Sequence, residues 1–240
     1  MREEWGGEGN SLAGRLRALS SLACTLGWLF SYLSREAALE AVSTECAERC
    51  RALFAEAVHG LRPVPPIPGE EVAAAALVDE AAGQTARPLG EDDEGERAAA
   101  ALRRECTRLF YAPFQPVPLL GSKWVEQRNL LSRKTGERSA VEQEYLRMGV
   151  VRKPASTNPS DHLSCELDFI SFLAAAEADV LDAGDAASAR ELKKLRERFV
   201  DDHAGELAAA VSREVLARSS NVHLRFFAQL LQAFAGGCDF

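Results

Sequence analysis

The feature that most restricts the fold is a long segment whose apolar residues fall on two sides of one helix. A helix is predicted from Pro159 to about Asp182. Two apolar stripes run along it, one of Leu163, Leu167, Ile170 and Ala174 and one of Phe169, Leu173 and Ala176. A helix that is apolar on both sides has to lie between neighbouring elements. The rest of the chain must therefore supply elements that cover it.

Helices, not strands, are the elements that the remaining sequence predicts. Ala and Leu are abundant while Val, Ile and Thr are sparse, a composition that favours helix. Apolar residues recur every three or four positions from Leu12 to Leu33, after a cap at Asn10 or Ser11. Further helices are predicted over residues 36–59, 70–82, 97–110, 139–148, 187–203, 205–218 and 221–234. No internal repeat and no convincing strand is found, so the predicted fold class is all-α.

One large domain is the predicted organisation. The chain has 240 residues, 47% of them hydrophobic, which is enough for one sizeable core. We predict a disordered N-terminus over residues 1–10 and a single helical domain over residues 11–235. Four prolines make residues 62–69 a stiff break. Residues 83–95 are interpreted as a solvated acidic linker inside the domain.

Net charge, cysteine content and hydropathy limit the partners and the compartment that we expect for this protein. The net charge of −8 disfavours nucleic acid and anionic lipid and suits a basic peptide. Four of the six cysteines sit in predicted helices with Ala and Leu around them, and no CxxC occurs. This pattern predicts free thiols in a reducing compartment, the cytoplasm. Residues 18–33 are too short and too rich in serine for a membrane span, and acidic residues precede them, so we interpret them as a core helix.

The segment from Tyr111 to Gly121 is an apolar loop. Its prolines Pro113, Pro116 and Pro118 exclude a regular helix, although its other residues are mostly apolar or aromatic. Loops are usually polar, so an apolar loop is either pinned against the core or is itself a docking surface. Both interpretations remain open from the sequence.

The residues that open the long helix are the second segment of interest. Pro159 suits the first helical position, which makes Asn158 the predicted N-cap. Asp161 then lies where a carboxylate meets the positive end of the helix dipole. The same dipole is expected to keep His162 neutral, able to donate and to accept a hydrogen bond. By themselves these residues predict a well-capped helix start, and a role beyond capping stays open.

Several motifs occur in a familiar order. Leu109-Phe110 is followed by Pro113, and the proline loop continues into Gly121-Ser122-Lys123-Trp124. After these come Tyr145-x-x-x-Gly149 and the run Asn158-Pro159-Ser160-Asp161-His162-Leu163, with Glu166, Leu167 and Phe169 behind it. Phe199, His203 and residues 221–230 complete the pattern. The order of these motifs from residue 109 to 235 resembles the TorD/DmsD/NarJ family of molybdoenzyme maturation chaperones.

The resemblance implies a TorD-like helical bundle of about ten or more helices, as a monomer or a domain-swapped dimer. It also implies a cytoplasmic chaperone that binds the twin-arginine leader or the body of an apo-molybdoenzyme until the cofactor is inserted. No cofactor of its own is implied. The client-binding residues that carry over are Phe114, Leu120, Trp124, Tyr145, Pro159, Asp161, His162 and Glu166. Asn158 stands where the family often has Glu, which removes one negative charge from this group.

The chemistry of these residues suits a leader peptide. A carboxylate such as Asp161 can take a bidentate hydrogen bond from an arginine. Phe114, Leu120 and Trp124 can cover the apolar part of the leader.

Enzymatic motifs (HExxH, G-x-S-x-G, a P-loop and G-x-G-x-x-G) do not occur, and no two histidines are spaced as ligands on a helix. We therefore predict neither a catalytic nor a metal site. The competing interpretation is a generic helical interaction or regulatory module.

Overall fold

Helices make up the regular structure of the residues that the structure describes. The structure, a computed structural model, describes residues 11–58, 91–128, 137–151 and 157–235. The helices are α1 (Leu12–Leu29), α2 (Arg35–Val42), α3 (Thr44–Val58), α4 (Glu91–Cys106), α5 (Gly121–Arg128), α6 (Glu137–Arg147), α7 (Leu163–Asp182), α8 (Ala186–Phe199), α9 (Gly205–Arg218) and α10 (Val222–Ala235). Single π-helical turns follow α4 at Thr107–Tyr111 and α8 at Val200–Ala204. The all-α prediction is confirmed.

The helix that is apolar on two sides lies at the centre of the packing, as predicted. α7 packs most extensively against α1 and also against α8. At the crossing, Gly27 of α1 approaches α7 so closely that a Cβ there would lie 3.2 Å from the Ser164 carbonyl oxygen. A single core cluster extends from this pair through α3, α4, α9 and α10. α1 therefore packs against the turn of α7 that carries the candidate site.

Several predicted boundaries of these helices are confirmed. Ser11 caps α1 by accepting a hydrogen bond from the Gly14 amide at 3.0 Å. Gly149 follows α6 with a φ of +67°, a conformation that glycine adopts without the steric cost of a side chain. The predicted disordered start, the proline-rich break, the helix over residues 70–82 and Cys238 lie outside the described residues. No described helix is long and apolar enough to cross a membrane.

Two other boundaries are corrected. The helix predicted over residues 36–59 is divided at Ser43, whose backbone is extended (ψ 146°) and whose hydroxyl accepts a hydrogen bond from the Cys46 amide at 3.1 Å. Serine prefers such cap positions to helix interiors. α4 begins at Glu91, inside the predicted linker, because acidic residues are favoured near a helix N-terminus. Residues 83–90 lie outside the description.

The start of α7 is the third correction. α7 begins at Leu163, not at Pro159, and its N-cap is His162, not Asn158. Pro159 is therefore not at the first helical position, and Asp161 is not at the third. The backbone of His162 is extended (φ −81°, ψ 137°). Contacts with α6 and the proline loop hold residues 158–162 outside the helix.

Candidate functional site

The proline loop and the residues before α7 form one unit. The Leu163 amide donates to the Leu119 carbonyl at 2.8 Å, and the Gly121 amide donates to the Asp161 carbonyl at 2.9 Å. Between these two bonds, Leu120 and His162 face each other in an antiparallel bridge. The two segments that the motifs singled out, about forty residues apart, are therefore joined through their backbones. We call this unit the loop–cap junction (residues 117–122 and 158–164).

The proline loop has a buried half and an exposed half. Val117, Pro118 and Leu119 are buried, and the Pro118 carbonyl accepts a hydrogen bond from the Trp124 indole at 2.8 Å. At the other end, 94% of Phe114 is exposed, beside Gln115, which has a φ of +31°. The pinned interpretation is confirmed for the buried half, and the docking interpretation of the exposed half stays a prediction. Trp124 is half-buried and supports the pinned half, while Phe114 projects into solvent.

α6 holds the junction from a second side. Arg138, Glu142 and Tyr145 are spaced on one helical face, and each contacts the residues before α7. The Tyr145 hydroxyl donates to the Ser160 carbonyl at 3.0 Å, and the Ser160 hydroxyl donates to the Glu142 carboxylate at 2.7 Å. Arg138 Nε donates to Asp161 Oδ1 at 3.2 Å. The conformation of residues 160–161 is thus fixed by long-range contacts.

Asp161 is a buried carboxylate with an exposed partner. Its side chain has no solvent exposure, whereas 52% of the Arg138 side chain is exposed. The Ser122 amide donates to Asp161 Oδ2 at 3.0 Å. Burial works to raise the pKa of Asp161, but hydrogen bonds from Ser122 and Arg138 outweigh it and hold the pKa below its ordinary value. An ionised carboxylate is therefore kept in the interior, and a surface arginine closes it off.

His162 is neutral, as predicted, but for a different reason. Its Nδ1 accepts from the Ser164 amide at 3.1 Å, which caps α7, and lies 2.8 Å from the Ser164 hydroxyl. Burial lowers the pKa of His162 to about 4, and the neighbouring Asp161 charge opposes that shift only in part. The prediction attributed neutrality to the helix dipole, whereas the main cause is loss of contact with water. An accepting Nδ1 assigns the ring proton to Nε2.

The remaining predicted site residues are Tyr145, Glu166 and Pro159. The Tyr145 ring packs against the Phe169 ring, with the ring centroids 4.7 Å apart. Burial raises the pKa of the Tyr145 hydroxyl. Glu166 is buried in the first turn of α7. Pro159 is half-buried, and its carbonyl accepts from the His162 amide at 3.1 Å. Tyr145 and Glu166 lie beneath the junction, Pro159 is part of it, and Phe114 is the predicted site residue that stands fully in solvent.

Sequence reasoning missed several members of the junction. Arg138 and Glu142 bind it directly, and Ser164 links His162 to Asn158, whose amide donates to the Ser164 hydroxyl at 3.0 Å. The spacing of Arg138, Glu142 and Tyr145 could have identified one functional face of α6. However, nothing in the sequence indicates which residues this face of α6 would contact. Within the described residues, no group of three or more His, Cys, Asp or Glu side chains could hold a metal ion.

Comparison with known families decides the class. The family model described as nitrate reductase delta subunit matches residues 70–211, more than half of the chain. The chain belongs to this family. It is a family of molybdoenzyme maturation chaperones, as the motif order indicated. The matched range contains the proline loop, α6 and the whole loop–cap junction. A search of curated proteins found no match to the chain.

Proposed function

We propose that this protein binds the twin-arginine leader, the body, or both, of an apo-molybdoenzyme in the cytoplasm and holds the client until its cofactor is inserted. Membership in a maturation chaperone family supports a non-catalytic role of this kind. The observation that carries the leader-binding part is the junction itself. It joins an exposed aromatic loop to a buried, ionised carboxylate through two backbone hydrogen bonds.

Asp161 supplies the charge for leader recognition. Its carboxylate is ionised and already accepts a guanidinium hydrogen bond from Arg138. That bond uses one nitrogen at 3.2 Å, whereas an arginine fork can make two parallel bonds to a carboxylate. A leader arginine binds by displacing or joining Arg138, whose side chain is half exposed. The second arginine of the leader then faces the outward side of the same junction.

Phe114 supplies the apolar contact. Leaders of this class follow their arginines with an apolar stretch, and exposed aromatic residues are common binding hot spots. The Phe114 ring stands on the loop whose other end is fixed to the core through Val117 and Trp124. A ring held on an anchored loop loses little freedom on binding, so its contact area translates efficiently into affinity. Leu120, half-buried at the bridge, extends the same surface inward.

The test is calorimetry with a twin-arginine leader peptide and its twin-lysine analogue. Phe114→Ser is expected to weaken leader binding by roughly tenfold, as loss of an aromatic hot spot does. Its unfolding midpoint should stay unchanged, because the ring makes no buried contact. Val222→Ser, at a half-exposed apolar residue on α10, is the matched control and should bind the leader normally.

Asp161→Asn is the second variant of this test. The variant keeps the shape of the side chain and removes its charge, so the preference for arginine over lysine should fall. Leader binding that is unchanged in both Phe114→Ser and Asp161→Asn would refute the proposed site. If neither a leader nor an apo-molybdoenzyme binds the unaltered protein, a generic interaction module is the better description. Co-purification before and after cofactor loading tests the holding step, since a loaded client should be released.

A further inference from the structure

A second surface feature lies away from the loop–cap junction. A cleft of about 410 Å³ opens where the α1–α2 connection meets α4 and the π-helical turn after it. Its lining residues are Tyr32 and Leu33, then Ala100, Arg103, Arg104 and Cys106, and finally Thr107 and Tyr111. Its volume is in the range of sites that take a small ligand or a few side chains of a partner.

The floor of the cleft is positively charged in an acidic protein. Arg103 Nε donates to the Leu33 carbonyl at 3.3 Å, which fixes one guanidinium against the wall. Arg104 is exposed and makes no ion pair or hydrogen bond with any residue that the structure describes. An exposed arginine next to a fixed one presents two cations on a chain whose net charge is −8. The cleft is thus suited to an anionic partner.

Nearby carboxylates only partly neutralise these arginines. Glu105 is paired with Arg108 at 2.8 Å, and Glu96 is paired with Arg35. Glu36 accepts a hydrogen bond from the Ser34 hydroxyl at 2.9 Å. Its pKa is lowered first by its own backbone amide and by Ser34, and only to a smaller degree by Arg35 and Arg103. The acidic groups around the cleft are therefore engaged with other partners first, and the Arg104 charge stays available.

The rim of the cleft is aromatic. Tyr32 is 70% exposed and meets Tyr111 edge to face, with ring centroids 5.8 Å apart. Burial raises the pKa of the Tyr111 hydroxyl to about 12, so this wall stays uncharged. Leu33, Ala100 and Cys106 supply apolar surface beneath the rings. Tyrosine and arginine are among the residues enriched in binding hot spots.

We propose that this cleft is a docking site for an acidic segment of a partner protein that carries an aromatic or apolar side chain next to its carboxylates. The carboxylates pair with Arg103 and Arg104, and the apolar side chain inserts beside Tyr32 and Tyr111. Two arginines in the cleft repel a basic leader, so the site is distinct from the loop–cap junction and does not depend on leader binding. The protein then offers two surfaces of opposite charge preference.

Fluorescence anisotropy tests the cleft directly. The probe is a labelled peptide with the core Glu-Phe-Asp, and the comparison peptide is its amide analogue with the core Gln-Phe-Asn. The acidic peptide should bind, and the amide analogue should bind roughly tenfold more weakly because the charge-assisted hydrogen bonds are lost. Arg104→Glu should weaken the acidic peptide by at least a similar factor. Tyr32→Ala should weaken both peptides, because it removes the apolar wall.

The control separates a site from general electrostatics. Arg190→Glu makes the same charge change at an exposed position on α8 and should leave binding of the acidic peptide within about twofold. The proposal fails if the acidic peptide does not bind, if its amide analogue binds equally, or if Arg190→Glu weakens binding as much as Arg104→Glu. It also fails if benzoate displaces the peptide at an equal concentration, because the cleft would then be a small-anion site. Leader binding measured on Arg104→Glu should be normal, which keeps this test separate from that of the junction.

Discussion

Among the described residues, two buried carboxylates meet arginines, and they do so in different ways. Glu177 of α7 accepts from Arg196 Nε of α8 at 2.9 Å, and both side chains are sealed in the interior, with 3% and 0% exposure. Asp161 is just as deeply buried, but its arginine, Arg138, is half exposed. One pair lies wholly inside the helix packing, and the other reaches from the interior to the surface.

The difference indicates which pair can change partners. A sealed pair can separate only by leaving charge in a medium of low dielectric, which is costly. At Asp161, Arg138 can withdraw into water while the Ser122 amide still donates to the carboxylate. The first pair therefore joins two helices permanently, whereas the second is compatible with exchange for another guanidinium. Three measurements can break or sharpen this comparison.

The largest effect is expected at the sealed pair. Glu177→Ala leaves the Arg196 charge in the interior and should lower the free energy of unfolding by roughly 3–5 kcal/mol. Urea denaturation measures this loss. Glu191→Ala is the matched control, because both Glu191 and its partner Lys194 are exposed and water screens the pair, so its loss should change the stability little. A loss at Glu177 no larger than that of the control would remove the distinction between the two pairs.

Acid should affect the junction next. The pKa of His162 is about 4 in the folded protein and about 6.5 in an unfolded chain. Between these values the unfolded state binds a proton that the folded state does not, so stability falls as the pH drops below about 6.5. The expected contribution of His162 is a loss of about 2 kcal/mol between pH 7 and pH 5. Asp161 has a lowered pKa, so its own stabilising contribution is lost only at lower pH, as acid protonates the folded carboxylate.

His162→Asn isolates this contribution. Asparagine keeps a side-chain acceptor at the N-cap of α7 but does not titrate in this range. Burial also lowers the pKa of His223, so more than one histidine will contribute to the pH dependence of stability in the unaltered protein. For each protein, the shift of the urea midpoint between pH 7 and pH 5 is measured. The amount by which this shift is larger in the unaltered protein is the contribution of His162. Equal pH dependence in both would show that His162 is not buried as described.

The sequence predicted the parts of this fold that depend on local pattern. The two apolar stripes identified α7 as a helix with neighbours on both sides, and Ser11 and Gly149 marked real helix ends. Caps, turns and periodicity act over a few residues, so they can be read directly from the order of the chain. The motif order gave the family and selected the two segments that the structure joins.

What the sequence could not supply depends on contacts between distant residues. Asn158 and Pro159 satisfy the local rules for a helix start, yet the helix begins four residues later at Leu163. Tyr145, Glu142 and Arg138 bind Ser160 and Asp161 across the fold and hold them in a turn ahead of the helix. Tertiary contacts of this kind override local preference. The cleft beside Tyr32 was missed because its walls come from separate parts of the chain.

The smallest stability effect, and the sharpest test of exchange, is expected at Arg138. Arg138→Gln should change the free energy of unfolding by no more than about 1 kcal/mol, because the guanidinium is half exposed and screened by water. The same change removes the resident competitor for Asp161, so a twin-arginine leader should bind a few-fold more tightly, with little gain for the twin-lysine analogue. Arg147→Gln, on the same helix and paired with Glu144, is the matched control. A loss of stability as large as that of Glu177→Ala, or weaker leader binding, would show that Arg138 is a fixed structural partner.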